Sequence, residues 1–181
     1  DDIEGELHLL DMISAHYTHI GDLLHQPTFP GILLDYSEVS FYLAEAAARS
    51  YAVTGTVEEH YNNGITASFE YWDVADVATY LAKPEVAYAT APGTDWREKI
   101  GSQFWLAMYN RGFEAWTVWR KYDTPVFNLP EDTGNPVPAR YTYPINEQTL
   151  NGTNWEAASE AIGGDEQTTK IFWDVNDSPS N

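Results

Sequence analysis

Between residues 35 and 122 the apolar positions recur with a helical period. Val57, Tyr61, Gly64, Ser68 and Tyr71 follow one another at spacings of four, three, four and three, which is one face of a helix. Thr56-Val-Glu-Glu59, immediately upstream, is a capping box, in which the Thr and Glu side chains satisfy each other's backbone N–H groups. Asp35-Tyr-Ser-Glu38 is a second capping box, and the run to about Ala52 is rich in strong helix formers. Ala44, Ala46, Ala47 and Ala48 let a neighbouring helix approach this one closely, so the first three are expected to face helices. With Gly55 breaking the chain between them, the two helices form an αα-hairpin of about 35 residues, the length of a tetratricopeptide repeat.

A second pair follows. Asp73 is the expected cap of a helix over about 74–82 that Pro84 stops, and 84–94 reads as a Pro/Gly/Thr loop. Asp95-Trp-Arg-Glu98 is a third capping box, opening a helix to about Tyr109. Asn110-Arg-Gly112 breaks it, and another helix runs from Phe113 to about Tyr122. Residues 1–30 have no clean period, and one short helix over about 6–16 is expected there. Five prolines between Pro125 and Pro144 exclude a long helix or a central strand. A short helix over about Asn154–Ala161 precedes Gly163-Gly164. The apolar tail Ile171-Phe-Trp173 is expected to tuck against the body, with the chain fraying after Asp174. The pattern predicts a mainly α chain of helical hairpins with long irregular loops. It reads as one domain over 1–181: a loop-rich approach (1–34), helical hairpins (35–124), and Pro-rich loops with a short helix and tail (125–181).

Charge narrows the partners. Nine basic against 28 acidic residues give a net charge of −19 and a pI near 4.3. No basic surface is available to displace counterions from nucleic acid or to dock on anionic lipid. The asymmetry peaks in residues 1–60, where eleven acids face one base, Arg49. Hydrophobic residues at 43% and aromatics at 14% are too many for a disordered acidic chain. The absence of cysteine excludes disulfides, thiolate catalysis and thiolate metal sites. No apolar run reaches the length of a membrane-spanning helix.

Candidate chemistry is sparse. His16 and His19 share a spacing that metal ligands use on a helix, but no third ligand signature accompanies them, and they read as surface or boundary histidines. Asp73 with Asp76, or Glu58 with Glu59, have the residue types of a glycosidase pair, but among 28 acids proximity means little, and they read as helix caps and solvated faces. No nucleophile elbow, P-loop or dinucleotide fingerprint occurs, so no catalytic residue is assigned. Gly163-Gly164-Asp165 is a turn signal. Asn151-Gly-Thr153 fits a glycosylation sequon and a turn alike. No cofactor is called for, and a structural divalent cation stays open.

The seven tryptophans are more suggestive, because an indole face stacks on the axial C–H groups of a sugar ring. Trp105, Trp116 and Trp119 lie in periodic helices and read as packing residues. Trp96 beside the 84–95 loop, then Trp72 at a helix end, then Trp155 near a turn are the candidate sugar platforms.

Six blocks in order carry a resemblance. They are 30–49 (PGILLDYSEVSFYLAEAAAR), 61–72 (YNNGITASFEYW), 100–105 (IGSQFW) and 110–120 (NRGFEAWTVWR) with Pro125. Arg140-Tyr-Thr-Tyr-Pro144 with Glu147 and Asn151, and finally Ile171-Phe-Trp-Asp174, complete the set. Together they resemble the C-terminal part of SusD/RagB-like outer-membrane lipoproteins, with Phe104 where lysine is usual and Val118 where glutamate is common. The resemblance implies a mostly helical, tetratricopeptide-type α–α superhelix. It also implies a binding protein rather than an enzyme, lipid-anchored on the outer face of the outer membrane in Bacteroidota. Such a protein works with a TonB-dependent SusC-like transporter and captures an oligosaccharide, or in some members a peptide. Tyr36, Glu38, Glu45, Trp105, Arg120, Arg140 and Glu147 match the family blocks as scaffold residues. The family's chains are much longer, so an N-terminal part with its lipid anchor is expected to be missing here, leaving an apolar patch uncovered. Two other readings remain: a helical-repeat scaffold that docks on the transporter without a ligand, and, more remotely, a glycoside hydrolase.

Overall fold

The computed structural model describes residues 21–129 and 135–175. The chain divides into two units, 1–33 and 34–181. The described part of the first carries one 3₁₀ turn, Asp22–His25. The helix expected over 6–16, His16 and His19 lie outside the described residues.

The second unit is helical, with no strand among the described residues. Its first hairpin pairs α1 (Tyr36–Ala48) with α2 (Val57–Tyr71). A short α3 (Val77–Leu81) packs on α2, and α4 (Trp96–Ala107) with α5 (Gly112–Tyr122) forms the second hairpin. Beyond the proline-rich stretch, α6 (Ile145–Leu150) and α7 (Gly152–Ala161) pack on each other. The proline pattern hid α6, which starts directly after Pro144, where the missing proline N–H costs nothing.

The three capping boxes differ in outcome. At α2 the box is complete: Glu59 N–H donates to Thr56 Oγ1 (3.1 Å) and Thr56 N–H donates to Glu59 Oε2 (2.7 Å). At α1 Asp35 accepts from Glu38 N–H (2.7 Å), but the Glu38 carboxylate turns away to Arg111. At α4 the box slides by one residue, Asp95 accepting from Arg97 N–H (2.7 Å) and Glu98 from Thr94 N–H (2.8 Å). Asp73 does not cap a helix. It sits beyond the end of α2 at φ 51°, and Asp76 at φ 63° delays the restart, so α3 begins only at Val77. Two left-handed residues make a turn there instead of a helical start.

One aromatic ring joins the hairpins. Phe41 of α1, fully buried, stacks on Phe104 of α4 (5.0 Å between centroids, 14° between planes) and meets Tyr61 of α2 edge-on at 6.2 Å. The α1–α2 crossing is set by Gly64: a Cβ there would stand 2.7 Å from the Phe41 ring. The Ser37 hydroxyl ties the same crossing by donating to the Gly64 carbonyl (2.7 Å). Gly101 does the same for the second hairpin, where a Cβ would stand 2.5 Å from Tyr122 and Thr124. Of the alanines expected to face helices, Ala44 is fully buried in this core, whereas Ala46 and Ala47 are half-buried. The apolar tail is split: Phe172 projects outward at 94% exposure, contrary to the tucked tail expected, while Asp174 is buried. A cation–π contact from Arg120 to the Trp173 ring (5.2 Å) holds the tail through Trp173, leaving its neighbour outside.

Two glutamates on α1 hold α5 and the residue before it. Glu38 pairs with Arg111 (2.5 Å), both side chains nine-tenths buried. Glu45, two turns further, accepts from Tyr122 Oη (2.6 Å), Arg49 Nε (2.8 Å) and Lys121 Nζ. Burial alone would raise the Glu45 carboxyl, but the bonds from Lys121, Tyr122 and Arg49 outweigh it and hold it below the ordinary carboxylate range. The same contact, added to burial, drives the Tyr122 phenol upward.

Gly64→Ala forces its methyl against the Phe41 ring and is expected to cost about 1–3 kcal/mol, read as a lower urea midpoint at unchanged slope. An unchanged midpoint would show that the crossing is not tight. The depressed Glu45 carboxyl contributes stability that is present above its unfolded value of about 4.3 and is lost as pH falls through the lower folded value. The unfolding midpoint is therefore expected to drop on acidification below pH about 4, and Glu45→Gln to flatten that part of the profile.

Candidate functional site

The end of α2, α3 and the last turns of α4 enclose a surface cleft of about 290 Å³. Its floor is core: Ile65 and Ala107, both buried. Its walls are aromatic. Trp72, the residue closing α2, stands edge-to-face with Tyr109 (5.3 Å, 68°) and with Tyr71 (5.0 Å, 89°). Phe69 and Tyr80 form the opposite pair at 5.0 Å. The period of α2 that buries Tyr61 two turns earlier and Ile65 one turn earlier brings Ser68, Phe69 and Trp72 to this cleft.

Polar groups are few and directional. The Tyr80 hydroxyl donates to Gln103 Oε1 (3.0 Å), which fixes the carboxamide and leaves Nε2 as a donor. The Ser68 and Tyr109 hydroxyls complete the polar lining. A rigid aromatic wall with one oriented amide and two hydroxyls suits a flat, hydroxyl-rich ligand, whose apolar face stacks and whose edge hydrogen-bonds.

The candidates drawn from the sequence do not share this place. Trp72 lines the cleft. Trp96 is half-buried, its ring set edge-on to Tyr122 (6.3 Å) with the guanidiniums of Arg49 (5.1 Å) and Arg97 (4.7 Å) against it. Trp155 donates its indole N–H to Asp165 Oδ2 (2.9 Å). That carboxylate also accepts from Arg140 (2.7 Å) and the Tyr143 backbone N–H (3.0 Å), tying the C-terminal segment together. Burial would raise Asp165, but the bonds from Trp155, Tyr143 and Arg140 hold it low. Sequence reading took Asp165 only as part of a turn; the left-handed Gly163 and Gly164 before it (φ 84° and 125°) are what aim it back at Arg140.

The residues matched to family blocks fall as follows. Trp105 packs edge-on to Phe127 (5.2 Å). Arg120 lies over the Trp116 ring (3.9 Å) and donates to the Ala139 carbonyl (3.1 Å). Glu147 accepts from Asn151 Nδ2 (2.9 Å) within α6. Tyr36 is 64% exposed.

Two other clefts are less suited to a ligand. One of about 410 Å³ lies between Phe113, Trp116 and Tyr141, but the Trp116 ring already carries Arg120 and its N–H bonds Pro138 O (2.7 Å). Another of about 460 Å³ is polar, yet Asp95 and Glu98 serve as caps and Ser102 bonds Thr124 (3.0 Å). Among the described residues no three His, Asp or Glu side chains cluster as metal ligands.

Sequence and structure comparisons agree on one lineage. A family model named SusD-like_2, described as "Starch-binding associating with outer membrane", matches residues 5–144. A SusD-like protein of Bacteroidetes AC2a superposes at a TM-score of 0.75 with 24% identity, over 95% of this chain and 38% of its own. A SusD homologue from Bacteroides uniformis gives 0.67 at 26% identity, over 81% of this chain and 38% of its own. A chitin-binding SusD homologue from Flavobacterium johnsoniae gives 0.63 at 27% identity, over 80% and 36%. The chain thus spans a little over a third of the length of these relatives. No curated protein matches it.

Trp155→Phe replaces the indole with a smaller aromatic ring and removes the N–H that serves Asp165, and is expected to lower the thermal midpoint. A variant as stable as the parent would mean that Arg140 and Tyr143 suffice to hold Asp165.

Proposed function

The chain belongs to the SusD-like family and has its mainly α, tetratricopeptide-like fold, and from that premise we propose that it is part of a cell-surface glycan-binding protein. The observation that carries this reading is the cleft in which Trp72 and Tyr109 stand beside the Gln103 amide. It is supported by the family's starch-binding description and by a solved relative that binds chitin. The whole protein, under this proposal, is lipid-anchored at the extracellular face of the outer membrane. It passes its oligosaccharide to a SusC-like TonB-dependent transporter and carries out no catalysis. Trp96 and Trp155 act in the scaffold rather than as platforms.

The mechanism is capture. The apolar face of a pyranose leaves water against the indole, while the Gln103 amide and the Ser68 and Tyr109 hydroxyls exchange water for sugar hydroxyls. Titrating intrinsic fluorescence with malto-, chito-, xylo- and manno-oligosaccharides is expected to find at least one binder. For that binder Trp72→Ala should weaken affinity about tenfold, or ~1.4 kcal/mol, with no change in unfolding midpoint beyond a few degrees. Unchanged binding in Trp72→Ala would reject the cleft, and release of reducing sugar ends would reject the non-catalytic reading.

A further inference from the structure

We propose that the Trp72 cleft selects uncharged oligosaccharides and rejects their carboxylated or sulfated counterparts; this deepens the glycan reading above and rests on it. The first observation is the lining. Every residue that bounds the cleft is uncharged, its polar members being Ser68, Gln103, Tyr80 and Tyr109. An anionic group brought into it would shed water with no ammonium or guanidinium among the lining residues to receive it, a cost that a hydroxyl bound by an amide does not meet.

The second observation is where the chain's nine cationic residues stand. Six are in ion pairs: Arg49 with Glu45, Arg97 with Asp95, Arg111 with Glu38, Lys121 with Glu45, Arg140 with Asp165 and Lys170 with Asp174. Lys99 donates to the Tyr88 carbonyl and Arg120 to the Ala139 carbonyl. Lys83 remains, its Nζ 5.5 Å from the centroid of the Tyr80 ring at the cleft wall. Against that one ammonium stand three exposed carboxylates in the segment that shapes the rim, Glu70, Asp73 and Asp76.

The third observation is the field of the whole chain. At −19 the protein repels an approaching polyanion before contact, more strongly as salt is lowered. A neutral glycan feels none of this. Neutral binding is expected to be independent of ionic strength and flat between pH about 5 and 8, because the lining holds no carboxylate, imidazole or amine.

The test compares matched pairs by calorimetry at low and physiological salt: each neutral hexose-based oligosaccharide of the panel (malto-, chito- and manno-) against its C6-carboxylated derivative of equal length. The neutral member is expected to bind at least tenfold more tightly at low salt, with the gap narrowing as salt is added. Asp73→Asn/Asp76→Asn is expected to narrow it at low salt without altering neutral binding, and Lys83→Gln to leave the neutral member unchanged. Equal or tighter binding of the carboxylated member, abolished by Lys83→Gln, would overturn the inference while leaving the cleft as a glycan site. If no member of either series binds, the glycan reading itself fails. If neutral binders bind but Trp72→Ala does not weaken them, the site lies elsewhere and the selectivity argument falls with it.

Discussion

The position of a single ring, Phe41, governs the helical unit. It fills the space that the absent Gly64 side chain leaves on α2 and stacks on Phe104 of α4, so it belongs to both hairpins at once. Close-packed interiors transmit such a constraint because there is no slack to absorb it. The cleft lies one to two turns along the same two helices: Ile65 and Ser68 follow Gly64, and Ala107 follows Phe104. Where Phe41 sets the distance between α2 and α4, it also sets the width between Trp72 and Gln103. The scaffold and the site are therefore one piece of packing. A residue that touches no ligand controls the shape of the place where one would sit.

Electrostatics divides the molecule into two economies. Two of its scarce cations, Arg111 and Arg140, are buried against α1 and the C-terminal loops, where Glu38, Glu45 and Asp165 each collect bonds from arginine, lysine, tyrosine or tryptophan donors. Such buried pairs specify an arrangement more than they add stability, because the desolvation of both charges offsets much of their attraction. What reaches the surface is the excess of acid, around a Trp72 cleft lined by neutral groups. An acidic exterior keeps the chain dispersed and leaves hydroxyl-rich, uncharged ligands as the class it does not oppose.

The helices were legible because their signals are local. Periodicity and capping residues placed α1, α2, α4 and α5 to within a few residues, and the break at Asn110 to Gly112 shows as a left-handed Asn110. What failed was chemistry that depends on distant partners. Glu38 looks like half of a capping box until Arg111, far along the chain, takes its carboxylate. Phe172 looks like a core residue until its neighbour Trp173 takes the contact with Arg120. Among the tryptophans the sequence gives no direction. Trp96 beside a loop seemed the more open, yet a capping aspartate and two arginines pack around that turn, while Trp72 rests at a helix end against Tyr109. Its partners Gln103 and Tyr80 carried no signal of their own, since only the fold brings them across from α4 and α3.

Under the proposed function, ligand meets the chain at Trp72. The indole N–H resonances of the seven tryptophans report on it directly in a ¹H–¹⁵N spectrum titrated with a neutral oligosaccharide of the panel. The Trp72 resonance is predicted to shift with saturation, while those of Trp96, Trp155 and Trp116 stay in place. Saturable shifts at any of those three with a stationary Trp72 would contradict it.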